Sequence, residues 1–209
     1  MAGITPAKCR RIMERMPITK GLLQGFAAAG WQTELPAAYE RCAQLYRENA
    51  GASKVLQLHL KQLLPMIALY EAALRCTGCR EAAMQFAEEW AFGCVEKMVK
   101  PARLLMKTGL YRVMPGLCSM LLDRMFGREA GFDYRLVPEE RPFAVDMIRC
   151  PYLDTCIRYG CPELTRISCR ADDITYGSLH PKLVWARTQT LGQGGSCCDF
   201  RLYVKEEQE

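Results

Sequence analysis

Apolar residues recur at helical spacing through the first part of the chain and at strand spacing through much of the rest. Residues 1–16 read as a short basic amphipathic helix ending at Met16-Pro17. Between Thr33 and Asn49, Leu35, Ala38, Cys42 and Leu45 or Tyr46 fall on one side and predict a second helix. Ser53 is a good N-cap for a long helix reaching about Arg75, because its hydroxyl can accept from a first-turn N–H. Val55, Leu56, Leu60, Leu63, Leu64, Ile67 and Leu74 give that helix a broad apolar face, and Pro65 predicts a kink within it. Thr77-Gly78 stops it, and Glu81 to about Lys100 makes the next helix. Another is expected after Pro101, and Met114-Pro115 breaks the chain before a helix over Leu117 to Phe126.

The pattern changes after Gly127 to Gly131, where the apolar period shortens from near 3.6 to 2. Phe132 to Val137 reads as a strand. In Phe143 to Cys150, Phe143, Val145 and Met147 alternate with intervening positions and predict a second strand. Pro151 and Pro162 suit first-turn helical positions, so short helices are expected over about 152–159 and 162–169. Lys182 to Leu191 is expected as a third strand. Cys198 to Lys205 is expected as a fourth, with Cys198, Phe200, Leu202 and Val204 on one face and Asp199, Arg201 and Tyr203 on the other. The order predicts an α+β fold: a helical part over 1–127 packed on a small, mainly antiparallel four-stranded sheet with short intervening helices over 131–205, all in one domain spanning 1–209.

Composition narrows the class. Of 209 residues, 50% are hydrophobic and 24% charged, which excludes global disorder. No apolar run approaches the roughly 20 residues of a membrane-spanning helix, so no membrane partner is expected. The amino terminus is basic but lacks an apolar stretch behind it, so it does not read as a secretory signal, and a cytoplasmic location is expected. The net charge of +5 is spread without a run of five basic residues, which argues against nucleic acid and for a small anionic ligand.

The chain has twelve cysteines, at 9, 42, 76, 79, 94, 118, 150, 156, 161, 169, 197 and 198. In a reducing compartment a disulfide scaffold is not expected. Most early cysteines lie among Leu, Ala and Met at helical spacing and read as small buried residues. Six others fall within 49 residues of the second half, near charged side chains. Their spacing from Cys150 through Cys156 and Cys161 to Cys169 is C-x5-C-x4-C-x7-C, no standard zinc or iron–sulfur pattern. Cys76 and Cys79 form a lone C-x2-C between helices. No resident metal and no cofactor are expected. Of two histidines, His59 lies in a predicted helix, and only His180, in a loop, suits a Cys–His or Ser–His–Asp mechanism.

Four segments place reactive or charged groups at element boundaries, where a rigid sheet can hold them around a cleft. They are Cys150-Pro151-Tyr152 at a strand end, Cys169 to Asp173 at the end of a short helix, Arg187 to Leu191 inside a strand, and the glycine-rich turn Gly194 to Phe200. A buried Arg187 needs a partner, either a salt bridge to Asp172 or Asp199 or a substrate carboxylate. Asp172 and Asp173 equally suit helix or turn capping. Cys150, Cys169 and Cys198 read either as packing residues or as thiols held near an arginine, one of which attacks an electrophilic carbon.

Together, Cys150, the turn Gly160-Cys161-Pro162-Glu163-Leu164, Cys169 with Asp172, Arg187-Thr188-Gln189-Thr190-Leu191, and Gly194 through Cys198-Asp199-Phe200 resemble the L-2-amino-thiazoline-4-carboxylic acid hydrolase family. The helical stretch Leu63 to Ala87 is also similar, and the resemblance extends over roughly residues 50 to 205. It implies a bacterial cytoplasmic hydrolase that opens a cyclic isothiourea to carbamoyl-cysteine. The extra cysteines, Cys197 beside Cys198 and Cys156 and Cys161 in the intervening helices, depart from the pattern. On this reading Cys169, Asp172, Cys198 and Asp199 are the candidate catalytic residues, and Cys150, Arg187, Thr188 and Gly194 the candidate substrate-binding ones. Arg187 would anchor the substrate carboxylate, Asp172 or Asp199 would serve as base and acid, and the turn Gly192 to Gly195 could offer N–H groups to developing charge. A homo-oligomer is one expected assembly. Two other classes compete: a cysteine-rich ligand- or metal-binding module, and a structural protein in which the arginine and aspartates pair and leave no cavity.

Overall fold

The computed structural model describes residues 3–137 and 143–205. The amino-terminal part is helical: α1 (Pro6–Arg15), α2 (Pro17–Ala28), α3 (Leu35–Glu48), α4 (Lys54–Thr77), α5 (Arg80–Met106) and α6 (Met114–Phe126). Strand β1 (Asp133–Leu136) and β2 (Phe143–Arg149) follow, then α7 (Pro151–Arg158), α8 (Thr165–Tyr176), β3 (Leu183–Ala186) and β4 (Cys198–Val204). The strands form one antiparallel sheet in the order β1-β2-β4-β3, so the fold is α+β.

Local chemistry sets several of these boundaries. Ser53 caps α4 by accepting from the Leu56 N–H at 3.0 Å, and Gly78 ends it with φ of 72°, the left-handed conformation that glycine adopts without a Cβ penalty. Pro65 does not interrupt α4. Pro101 does not end α5, so two expected helices are one; Lys97 and Pro101 are both exposed, where water can satisfy the carbonyl that proline leaves unpaired. Pro115 lies in the first turn of α6, which therefore begins at Met114 rather than Leu117. Helix α2 had no counterpart in the sequence reading. Its Gly21 and Gly25 weaken helix propensity, yet they bring α2 against α5: a Cβ at Gly21 would sit 2.3 Å from Cys94 Sγ, and one at Gly25 2.6 Å from the Trp90 ring.

Two corrections bear on the site. Pro162–Leu164 forms a 3-10 turn, and α8 starts after it and runs on to Tyr176, so Cys169, Asp172 and Asp173 lie within the helix and not at its end. Strand β3 stops at Ala186, so Arg187 to Leu191 are loop residues and not strand. A side chain competes with the ladder there: Asp199 accepts the N–H groups of both Thr188 and Gln189, one of which an extended β3 would have paired with β4.

The main core lies between α1 and α5 and takes in Cys156, Cys161, Leu164 and Ile167, so α7, α8 and the turn between them are docked on the helical part. A second core joins Phe143, Val145 and Leu202 of the sheet to Val95, Val99 and Met106 of α5 and Leu122 of α6. None of the described helices is long and apolar enough to cross a membrane.

Candidate active site

Helix α8 carries Cys169, Asp172 and Asp173 at relative positions i, i+3 and i+4, which puts them on one side of the helix. The loop after β3 closes over that side. Gly192 permits the approach: a Cβ there would meet Thr165 Cγ2 at 3.2 Å and Cys169 Sγ at 3.5 Å. Arg187 enters from this loop with its side chain only 7% exposed. Its Nη2 donates to Asp173 Oδ2 at 2.7 Å and to the Cys169 carbonyl at 3.1 Å. Its guanidinium lies over the Phe200 ring, 5.5 Å from the centroid. Asp173 also accepts from Trp185 Nε1 at 3.1 Å, and Trp185 stacks between Tyr176 and Phe200. The ion pair is therefore to Asp173, and neither Asp172 nor Asp199 fills that role. Arg187 Nη1 is buried with no acceptor. A buried donor left unpaired costs about 1–3 kcal/mol, which a bound anion would recover. Beside it is a recess of about 300 Å³ lined by Asp173, Gly177, Trp185, Arg187 and Thr188 to Thr190 with Gln193.

Asp172 is enclosed by protein on nearly every side but keeps some solvent contact. Burial raises its carboxyl to about 7; Arg187 pulls against that rise and Asp173 adds to it. Three thiols lie in the same electrostatic neighbourhood. Burial pushes Cys150, at the β2–α7 junction, up to about 12, and pushes Cys169 up to about 11, with Cys198 raising Cys169 and Arg187 lowering it. Cys198 is also raised by burial, although its sulfur accepts the Leu191 N–H at 3.3 Å. All three are thus neutral thiols at pH 7.

Tyr152 belongs to the same neighbourhood and had no assigned role in the sequence reading. It faces Asp172 and Cys150 electrostatically, and its hydroxyl lies 3.1 Å from His59 Nδ1. His59 Nε2 is 2.7 Å from the Met125 carbonyl, which can only accept, so Nε2 donates there and Nδ1 faces the Tyr152 hydroxyl. The signal available was the adjacency of Tyr152 to Cys150.

The remaining candidates are placed otherwise. Asp199 Oδ1 accepts from the N–H groups of Thr188 at 3.0 Å and Gln189 at 2.9 Å, and Oδ2 accepts from the Thr188 hydroxyl at 2.5 Å. Burial acts to raise its carboxyl, but these hydrogen bonds outweigh it and hold the group ionised below the usual carboxylate range. Asp199 thus shapes the loop that carries Arg187. Gly194 has φ of 84° and faces open space. The N–H groups of Gln193, Gly194 and Gly195 are donated to the carbonyls of Thr190 and Leu191, which occupies them within the turn. His180 accepts the Lys182 N–H at 3.1 Å and stacks on Tyr111 at 3.8 Å, so it is committed to a turn. Among the described residues, no three His, Cys, Asp or Glu side chains converge as the ligands of one ion would.

Arg187, with one guanidinium nitrogen unpaired, thus borders a polar recess, and the raised carboxyl of Asp172 lies within reach of its charge. The chain belongs to the L-2-amino-thiazoline-4-carboxylic acid hydrolase family, whose model matches residues 57–202. That span contains every group described around Arg187. No curated protein and no solved structure matches the chain.

Proposed function

We propose that the protein hydrolyses a small cyclic amidine or isothiourea bearing a carboxylate, such as 2-amino-thiazoline-4-carboxylate, to carbamoyl-cysteine. The observation that carries this reading is the buried, unpaired Nη1 of Arg187 beside Asp172. Arg187 binds the substrate carboxylate by a charge-assisted hydrogen bond, while Asp173 and the Phe200 ring hold the guanidinium in place.

The ring carbon C2 is bonded to sulfur and two nitrogens and is the electrophile. Asp172 takes a proton from water as the water oxygen bonds to C2 and the C2=N π pair moves onto the ring nitrogen. The C2–S bond then breaks as C2=O forms: Asp172 returns its proton to the sulfur, and the remaining hydroxyl proton passes to the ring nitrogen, leaving carbamoyl-cysteine. Proton transfer of this kind contributes about 10²–10⁴-fold, and is most effective when the group titrates near the working pH. A thiol at about 11 is ionised in only about one molecule in 10⁴ at pH 7, so the water route is favoured over attack by Cys169. Cys150, Cys169 and Cys198 then serve as compact neutral packing in the neighbourhood of Asp172, and Asp199 and Thr188 set the loop that aims Arg187.

The test is a turnover assay with 2-amino-thiazoline-4-carboxylate and related cyclic amidines and lactams, with and without a chelator, following carbamoyl-cysteine by mass spectrometry. Chelator-insensitive turnover that requires the carboxylate supports the proposal. Binding without turnover of any member would make the protein a non-catalytic ligand-binding module. Loss of activity with chelator would place a metal in the reaction.

A further inference from the structure

The exposed apolar side chains are not spread over the molecule. Of twelve large hydrophobic residues exposed among the described residues, eight lie between Met98 and Met125, in the end of α5, the turn after it and α6. Leu104 is 68% exposed and Met120 70%. On α6 and the residue before it, Val113, Leu117, Met120 and Arg124 follow one another at i, i+4, i+7 and i+11, a single stripe along the helix. The opposite sides of α5 and α6 supply Val99, Met106 and Leu122 to the second core, so these elements already have a buried face and present a second apolar face to solvent.

The charge of the same segment is equally uneven. Residues 97–124 hold six basic residues and one acid, Asp123, which amounts to the whole net charge of the chain, +5. Lys97, Lys100, Lys107, Arg112 and Arg124 are exposed beside the apolar stripe. Outside this segment the chain is electrically balanced.

We propose that this corner docks on the surface of an anionic lipid bilayer, with Leu104, Leu105, Val113, Leu117 and Met120 entering the headgroup boundary and the flanking lysines and arginines meeting lipid phosphates and carboxylates. Leucine, methionine and basic residues exposed together along the end of α5, the turn after it and α6 supply both things interfacial binding needs, since neither burial of a few side chains nor charge suffices alone. Two copies meeting through this patch would bring like charges together. A nucleic acid would satisfy the cations and leave the apolar stripe in water. The contact requires no spanning helix, and none of the described helices is long and apolar enough to be one. It is independent of the proposed hydrolysis.

The test is co-sedimentation with vesicles of phosphatidylcholine, with and without phosphatidylserine, at low and high salt. The full-length protein is predicted to pellet only with the phosphatidylserine vesicles and to be released by salt. Replacing Lys97, Lys100 and Lys107 together by Gln is predicted to lower partitioning about a hundredfold, at about 1 kcal/mol for each basic residue. Leu104→Glu with Met120→Glu should abolish it. Leu58→Glu, at an exposed leucine outside the patch, should change nothing and controls for folding. Pelleting that is absent, indifferent to phosphatidylserine, or unchanged in the Leu104→Glu/Met120→Glu variant overturns the proposal. So does a stable dimer by light scattering that Leu104→Glu dissociates while the wild type ignores vesicles.

Discussion

Arg187 gives one guanidinium nitrogen to Asp173 at 2.7 Å and keeps the other buried without an acceptor. A fully paired arginine would be a structural strut; under the proposed function this half-paired one next to a recess receives the substrate anion. Replacing Arg187 with Ala is therefore expected to raise KM for the carboxylate substrate about 10- to 100-fold, with a smaller change in kcat. That magnitude corresponds to the roughly 1.5–3 kcal/mol of a hydrogen bond to a charged group. An unchanged KM would remove the anchor role.

Asp172→Asn tests proton transfer. It is expected to lower kcat by about 10²–10⁴-fold with KM largely kept. In the wild type, activity should rise with pH through a midpoint near 7, where Asp172 ionises and becomes able to accept a proton. A flat pH profile, or near-normal turnover by the variant, would contradict the assignment.

The same carboxyl affects stability in a definite direction. Its folded-state value near 7 lies above the ordinary 3.8, so the folded protein retains a proton that the unfolded chain releases. Its contribution favours the fold at acid pH, erodes as pH rises from about 4 to about 7, and is constant above that window. Asp172→Asn should therefore raise Tm relative to the wild type at pH 8 and lose that advantage at pH 4. Thermal melts at the two values check this.

The thiols yield the opposite kind of prediction. Cys169→Ser and Cys198→Ser, separately, should retain turnover within about tenfold, because the proposed water route gives these neutral thiols no chemical step and serine is a close replacement. A loss comparable to that of Asp172→Asn in either variant would make that cysteine the nucleophile.

Asp199→Ala removes three hydrogen bonds that fix Thr188 and Gln189. It is expected to lower stability by about 1–3 kcal/mol and to raise KM by loosening the loop that carries Arg187, with the pH profile unchanged. A shifted pH profile would show that Asp199 titrates in the reaction.

The architecture was largely legible because period-2 alternation marked three of the four strands at nearly their observed bounds, and capping by Ser53 and Gly78 framed α4. Proline misled at Pro101, where exposure lets water take the freed carbonyl and α5 runs on, and glycine hid α2, whose Gly21 and Gly25 serve close packing rather than turns. At the site, residue types at element boundaries pointed to the region but not to its pairings. Whether Asp172 or Asp173 meets Arg187 depends on the phase of α8, which starts after the Pro162 turn and not at it. Asp199 looked free to titrate because nothing in a linear pattern shows that a side chain takes the N–H groups beyond a strand's end.

The most direct test of the central claim is calorimetric titration of 2-amino-thiazoline-4-carboxylate into the Asp172→Asn protein, which should bind without turning over, and into Asp172→Asn/Arg187→Met. The account predicts saturable binding by the first and loss of at least about tenfold in affinity by the second. Equal affinity in the two, or no binding by a folded Asp172→Asn protein, would contradict it.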